Sequence, residues 1–460
     1  MEKVTTVVLA AGEGKRMKSQ TPKVLHRICG RSLLGHVLAA VEKASQQKIV
    51  VVGHGAEQVK EAFGDKVQYA YQHQQLGTGH AVMQAEQQIP RAGDVFILCG
   101  DTPLLSAEVM EKMLLAHRQS GVAATVLTAV VPDAYGYGRI IRTEAGDVVK
   151  IVEEKDATAG ERTVREINTG TYLFQAEALL DSLGDLDNDN AQGEYYLTDC
   201  IALLISKGLK VGSYCLEDYR MALGVNDRSQ LAEAAKLLRE RINGELLAAG
   251  VTMHDPATTY VDVDVRVGQD TELLPNTYLK GATEIGSRCV IGPGTEITEC
   301  QIGSCVTVRH SVLNRSVLED NVTVGPFAHL RPETVLRSGV KVGDFVEIKK
   351  SDIGSQSKVP HLSYVGDARV GQGVNLGAGT IVVNYDGKNK HVTEIGPRAF
   401  IGCNSNLVAP VSIGKGAFVA AGSTITKDVP DGSLSLARPK QVNKEGLAGR
   451  FIRSEKKDES

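Results

Sequence analysis

The 460-residue chain predicts an α/β doubly wound (Rossmann-like) domain followed by a parallel β-helix. Three observations carry that expectation. Short apolar strands alternate with helical stretches through residues 1–228, the pattern of a sheet covered on both faces. A glycine-rich, cationic turn made by Gly12, Gly14, Lys15, Arg16 and Lys18 closes the first strand. From about residue 261 onward, large apolar residues recur every six positions, which is the period of a solenoid.

The strand candidates are 5–10, 48–53, 67–71, 94–99 and 123–131, each an apolar run rich in β-branched residues. Helical patterns lie at 33–44 and 81–88. Glycines at a strand end let the backbone approach a ligand, and clustered cations there favour phosphate. The turn is neither a Walker A loop nor GxGxxG, because position 17 is Met. Spacing alone suits a solvated strand–turn–helix equally well. Ligands of such sheets sit at the carboxyl ends of the strands. Asp101, just beyond 94–99, stands at that end; by residue type it fits a turn, a helix cap or a metal ligand.

In 227–249, Leu231, Ala235, Leu238, Ile242 and Leu246 form one face of a long helix, with Asp227 as its N-cap. The expected domains are 1–228, a connecting helix 229–250, and a solenoid 251–460. In the solenoid the frame runs from Leu273, Leu279, Ile285, Ile291 and Ile297 to a last run ending at Val419 and Ile425. A small or β-branched residue follows four places on, as at Ala328, Thr334, Ser357 and Ser423. Three hexads make one triangular coil. From Val382 to Ile395 the step is thirteen residues, so the segment NYDGKNKH is expected to be extruded as a loop, where function concentrates. The charged tail 453–460 is expected to be disordered.

Bulk properties exclude several classes. A net charge of −4 leaves no basic footprint for nucleic acid. No segment reads as a leader or a membrane span, so membrane insertion is not expected. The eight cysteines include no CxxC pair, which predicts reduced thiols in a cytoplasm rather than disulfides or zinc. His310, His329 and His391 do not fall on a common set of coil faces, which argues against a metal site there.

The strings LAAGEGKRM, PKVLH, QLGTGHA, GDTPLL, YGYGRI, EINTG, NAQGEYYLTD and GVNDR, with the hexads, carry a resemblance. Over nearly its whole length the chain resembles the bacterial bifunctional family that joins N-acetylglucosamine-1-phosphate uridyltransferase to glucosamine-1-phosphate N-acetyltransferase. The resemblance implies a nucleotidyltransferase domain and a left-handed coil. It implies that the first half transfers uridylate from UTP to a sugar 1-phosphate and releases pyrophosphate. Such a step needs positioning and cations rather than a protein nucleophile. Leu9, Ala10, Ala11, Gly12 and Lys23 match the family's nucleotide-contacting positions, with Lys23 catalytic; Gly100 matches a backbone contact. Gln72, Gly77 and Thr78 match the uracil-reading positions, and Gly138, Glu153 and Asn168 the sugar-binding ones. Asp101 and Asn226 match the two protein ligands of Mg²⁺.

For the second half the resemblance implies acetylation of glucosamine 1-phosphate by acetyl-CoA. The attacking amine must be neutral, so a histidine base suits the step. His361 matches that base. Arg331, Lys349, Tyr364, Asn375, Asn384 and Tyr385 match the substrate-binding positions. Ala378, Cys403, Ala421 and Arg438 match the acetyl-CoA site. The resemblance further implies a homotrimer with sites between subunits, and a product feeding cell-envelope synthesis. Three departures stand out: Lys15 where many relatives carry Thr, Cys99 where some carry Tyr, and Cys403 where some carry Ser. The competing expectation is a single-activity nucleotidyltransferase with a structural solenoid; the set His361, Lys349, Arg331 and Tyr364 argues against it. A non-catalytic scaffold is disfavoured by Asp101, Asn226 and the basic loop. A dehydrogenase is disfavoured because no acidic ribose-binding residue follows a GxGxxG.

Overall fold

The computed structural model describes residues 3–452; the tail 453–460 lies outside them. The chain divides into two compact units, Met1–Ile242 and Asn243–Ser460.

The first unit is built on one mixed sheet. Its strands are β1 (Val4–Ala10), β4 (Gln47–Val52), β5 (Gln68–Tyr71), β6 (Asp94–Cys99), β7 (Ala124–Val130), β10 (Glu166–Gln175) and β11 (Val211–Leu216). A small hairpin, β2 (Arg27–Ile28) with β3 (Arg31–Ser32), lies apart, and β8 (Arg139–Arg142) and β9 (Val148–Val152) extend the sheet beside β10. The strand order is β11-β7-β10-β6-β1-β4-β5. All neighbours are parallel except β10, which runs antiparallel to both β6 and β7. Alternate residues of one strand serve opposite faces. Val7 and Ile97 belong to one buried cluster, Val8 and Leu98 to the other. Both faces are therefore covered at the centre of the sheet, which is why β1, β4, β6 and β7 read as nearly continuous apolar runs, whereas β5 (QYAY) and β11 (VGSYCL) at the two edges do not.

The expected strands stand within a residue of their observed bounds, whereas the helices differ. The first is shorter than 33–44: α1 (Leu33–Ala40) starts where Ser32 Oγ accepts from the Gly35 amide, 3.1 Å, and gives way to turns after Val41. The stretch 81–88 is two pieces, α3 (Thr78–Met83) and a 3₁₀ turn at Glu86–Gln88. Between them in the chain lies α2 (Ala56–Phe63); α4 (Ala107–Ser120), α5 (Ala176–Leu183) and α6 (Asp199–Ser206) complete the layers. The long helix α7 (Arg228–Ala248) is capped by Asp227 Oδ1, which accepts from the Gln230 amide at 2.9 Å. It buries Ala234, Leu238 and Ile242.

The second unit is a parallel β-helix of three sheets with eleven, ten and nine strands. Each coil stacks on the next in register: Leu279 on Ile297, Leu330 on Ile348, Ile348 on Val365. Every apolar residue of the six-residue frame named above is buried, and so are its small companions. Buried hydroxyls at the same place in other hexads donate to backbone carbonyls, as Thr380 does to Gly377 at 2.6 Å and Ser405 to Gly402 at 2.7 Å. The thirteen-residue step is an extruded hairpin between Ile381–Val383 and Thr393–Ile395, closed by a Tyr385–Lys390 bridge. Asp386 organises its tip, accepting from the Lys388 and Asn389 amides at 2.7 and 2.6 Å and bonding His391 at 2.7 Å.

Because Leu376 is fully buried at the solenoid axis, Leu376→Ala leaves a cavity. The expected cost is about 2–5 kcal/mol, read as a lower chemical-denaturation midpoint of the solenoid transition.

Candidate active sites

The first site gathers at the carboxyl ends of β1 and β6. Lys23 lies on the 3₁₀ turn Lys23–Leu25, and its Nζ donates to Asp101 Oδ2 and to Asn226 Oδ1, the latter at 3.2 Å. Asp101 follows β6, and its backbone carbonyl accepts from the Val225 amide at 2.9 Å. Asn226 precedes α7 and donates its amide to Gln230 Oε1, 2.8 Å. A carboxylate and an amide oxygen from distant segments thus face one point, which a cation occupies. Two hard oxygen donors suit an oxygen-loving divalent ion that keeps its other positions for phosphate and water.

Around this point the loop after β1 is open. The space beside Gly12 is empty within 4 Å, and Gly100 donates its amide to the Leu9 carbonyl at 2.9 Å. Gln75 Nε2 donates to the Ala11 carbonyl at 3.3 Å, next along the chain from Ala10. Lys15 points outward and pairs with Glu13 at 2.9 Å. Gln72 is buried, its Nε2 donating to the Gly77 carbonyl at 3.0 Å. Gly77 has φ of +108°, and a Cβ there would stand 2.5 Å from the Tyr195 carbonyl, so only glycine fits. Thr78 Oγ1 accepts from the Leu197 amide at 3.1 Å.

Gly138, Glu153 and Asn168 come together. Asn168 donates its amide to the Gly138 carbonyl at 2.8 Å, and a Cβ on Gly138 would lie 3.3 Å from Glu153 Oε1. Asn168 Nδ2 donates to the Tyr172 hydroxyl at 2.6 Å. Burial, reinforced by Asp199 and Asp156, pushes the Glu153 carboxyl above its ordinary range. Asp199 is pushed up to about 6 by burial, with Asp187 and Asp156 adding to it. Burial, with help from Asp101, raises the Cys99 thiol to about 12, so it is a packing group beside Gly170.

In the solenoid, His361 Nδ1 is hydrogen-bonded to Asp344 Oδ1, and the two residues are register partners on successive coils. The imidazole holds the Asp344 carboxyl below its usual range. Asp344 escaped the sequence reading because the coil offset here is 17 residues, not a multiple of six. At the other end of the short strand Tyr364–Gly366, Lys349 stands against Lys390 of the extruded hairpin. Lys390, then desolvation and Arg331, lower the Lys349 ammonium from its usual value. Lys390 was also missed, since only the hairpin brings it there. Arg331 pairs with Glu347 at 2.7 Å. Asn384 Nδ2 donates to Asp367 Oδ2 at 2.5 Å and lies 3.5 Å from the Tyr364 hydroxyl. Tyr385 is exposed, its hydroxyl donating to the Gly387 carbonyl at 2.7 Å.

The four positions matched to acetyl-CoA form one column along a corner of the coil. The Asn404 amide donates to Ala378 at 2.7 Å, Gly422 to Cys403 at 2.8 Å, and Arg438 Nη1 to Ala421 at 2.6 Å. The column continues down to His361, whose carbonyl accepts from the Gly379 amide at 3.3 Å. Asn375 lies beside it, between Lys358 and Phe400 of adjacent coils. Cys403 is exposed. Among the described residues no group of three His, Cys, Asp or Glu side chains converges, and His391 is bound to Asp386 instead.

Comparison with known families agrees with both units. Residues 6–194 match the MobA-like NTP transferase domain, and residues 264–299 and 393–427 match the bacterial transferase hexapeptide repeat. The class is therefore a nucleotidyltransferase domain joined to a hexapeptide-repeat transferase solenoid. The chain is 52% identical over 453 residues to the bifunctional protein GlmU of Geobacillus sp. (strain WCH70), covering 98% of this chain and 99% of that one. It is 54% identical over 447 residues to the bifunctional protein GlmU of Bacillus velezensis, covering 97% and 98%. With the same-named protein of Brevibacillus brevis it shares 51% over 459 residues, covering 99% and 100%. The chain belongs to the bifunctional GlmU family.

A buried acid with a raised pKa destabilises the fold wherever it must ionise. Asp199→Asn is therefore expected to raise the melting temperature at pH 8. The gain shrinks as pH falls through about 6, where the native carboxyl takes up its proton. Melting curves of both proteins at pH 8 and pH 5 check this.

Proposed function

We propose that each unit carries its own reaction, with the residues divided as follows. The chain is a bifunctional enzyme of UDP-N-acetylglucosamine synthesis, acting on sugar phosphates. In the solenoid, the amine of glucosamine 1-phosphate attacks the thioester carbonyl of acetyl-CoA. A C–N bond forms, the C–S bond breaks, and His361 takes the amine proton and passes it to the departing thiolate. The Asp344 bond at Nδ1 leaves Nε2 to accept that proton, so Asp344 is a positioning residue. Arg331, Lys349 and Lys390 offer clustered positive charge to the sugar phosphate. Tyr364, Asn375, Asn384 and Tyr385 orient the sugar, and the column Ala378, Cys403, Ala421 and Arg438 holds acetyl-CoA.

In the first unit the N-acetylated product meets UTP. Its phosphate oxygen displaces pyrophosphate from the α-phosphorus. Leu9 to Gly12 and Gly100 offer backbone, Gln72, Gly77 and Thr78 read the base, and Gly138, Glu153 and Asn168 hold the sugar. Asp101 and Asn226 would hold Mg²⁺, which when bound offsets the charge developing on the phosphates. Lys23, which holds those two oxygens in this structure, supplies a further positive charge beside the phosphates.

The observation that carries the reading is the pairing of two separate constellations, Lys23–Asp101–Asn226 and Asp344–His361, in a near-full-length member of the family. The assembly we propose is a homotrimer. Phe327 stacks on Phe345 at a corner of the coil; both, and Leu362, have positive φ, and 55–60% of each is exposed. Bulky residues in that conformation are strained, and a second copy covering them offsets the cost. A cytoplasmic location agrees with eight cysteines that form no disulfide among the described residues. No helix among the described residues is long and apolar enough to cross a membrane.

The test is to incubate the chain with glucosamine 1-phosphate, acetyl-CoA, UTP and Mg²⁺. Free CoA and UDP-N-acetylglucosamine should both appear. Product formed only from supplied N-acetylglucosamine 1-phosphate would make the solenoid a structural appendage. His361→Ala is expected to lower acetyl transfer at least about 100-fold, within the range of general-base contributions, with uridylyl transfer unchanged.

A further inference from the structure

The inference concerns Lys23 and rests on the reading of Asp101 and Asn226 as ligands of a divalent cation. In this structure both ligand oxygens are bonded to one cation, the Lys23 ammonium. The pair is well shielded, with the Lys23 and Asp101 side chains 15% and 19% exposed, so the contact is not a screened surface bridge. An ammonium and a divalent ion cannot occupy one point, and like charges a few ångströms apart repel strongly in such a setting.

We infer that Lys23 is an exchangeable internal counter-ion. It keeps Asp101 and Asn226 converged when no metal is bound, and it leaves both oxygens as the metal arrives. The direction in which it leaves is set by its stem. Lys23 packs against the phosphate-facing loop: a Cβ built on Gly14 would lie 2.8 Å from Lys23 Cβ. The stem therefore keeps the released ammonium within reach of the Gly14 turn, where the nucleotide's phosphates would offer it new oxygens. Lys23 opposes binding of the metal alone and favours metal and triphosphate together, a positive coupling between the two ligands. This adds a second role to Lys23: it decides the order in which the charges assemble.

The experiment uses the full chain without nucleotide and Mn²⁺ as the probe, with free ion counted by electron paramagnetic resonance. Lys23→Met, which keeps the stem and removes the charge, is expected to bind Mn²⁺ at least about tenfold more tightly than the unaltered chain, although it loses uridylyl transfer. Asp101→Asn should abolish that binding in either background. A second readout needs no variant: saturating Mn²⁺ should raise acetylation of Lys23 by acetic anhydride severalfold, scored by peptide mass spectrometry. Equal or weaker Mn²⁺ binding by a folded Lys23→Met, with Asp101→Asn still abolishing it, overturns the exchange and leaves the metal site standing. Mn²⁺ binding indifferent to Asp101→Asn overturns the metal site and the exchange with it. If Lys23→Met does not fold, the labelling decides, and unchanged Lys23 reactivity overturns the exchange.

Discussion

The solenoid depends on one repeated contact, the backbone hydrogen bond from a corner residue to the carbonyl one coil below. Leu362 donates to Asp344 at 3.0 Å, Asn404 to Ala378 at 2.7 Å, and Gly422 to Cys403 at 2.8 Å. These bonds, with the apolar stack inside, fix where each outward side chain stands relative to its neighbour above and below. His361 meets Asp344, and Ala378, Cys403 and Ala421 line one column, because the register allows no other pairing. A rigid scaffold of this kind holds reacting groups in place without a mobile loop, which is what proximity catalysis requires. The one loop that does depart from the coil, the Tyr385–Lys390 hairpin, is itself tied down by Asp386 and delivers Lys390 against Lys349.

The first unit solves a different problem. Its chemistry handles a polyphosphate, so the task is to balance charge. The sheet brings the ends of β1 and β6 together, and the segments after β6 and before α7 add an acid and an amide. Lys23 is the only side chain bonded to both of these groups among the described residues, and it makes their convergence stable before any ligand enters. Glu153 and Asp199 form the opposite case, two carboxyls pushed up by burial first and by neighbouring acids second, Asp199 and Asp156 for the one and Asp187 and Asp156 for the other.

Much of this was legible in the sequence because the signals were periodic. The six-residue frame identifies nearly the whole interior of the solenoid, and β-branched runs place the strands. The glycine-rich turn and Asp101 were legible as strand-end features. What escaped reading depends on offsets that no period supplies. Asp344 and His361 are 17 residues apart, and Lys390 reaches Lys349 only through the extruded hairpin. The strand β10, antiparallel to both neighbours, was not among the strand candidates, because its run EINTGTYLFQ is broken by polar residues and Gly170. Helix ends were overextended at α1 because Val41 and Ala44 are still apolar after the helical bonds have ended.

The claim that coil register builds the base is tested most directly by a double-mutant cycle on acetyl transfer. The values of kcat are measured for Asp344→Asn, His361→Ala and the double variant. If Asp344 acts only by holding the imidazole, the double variant is no slower than His361→Ala alone, and the losses are strongly non-additive. Losses that multiply would show that the two groups act independently, and would contradict the account.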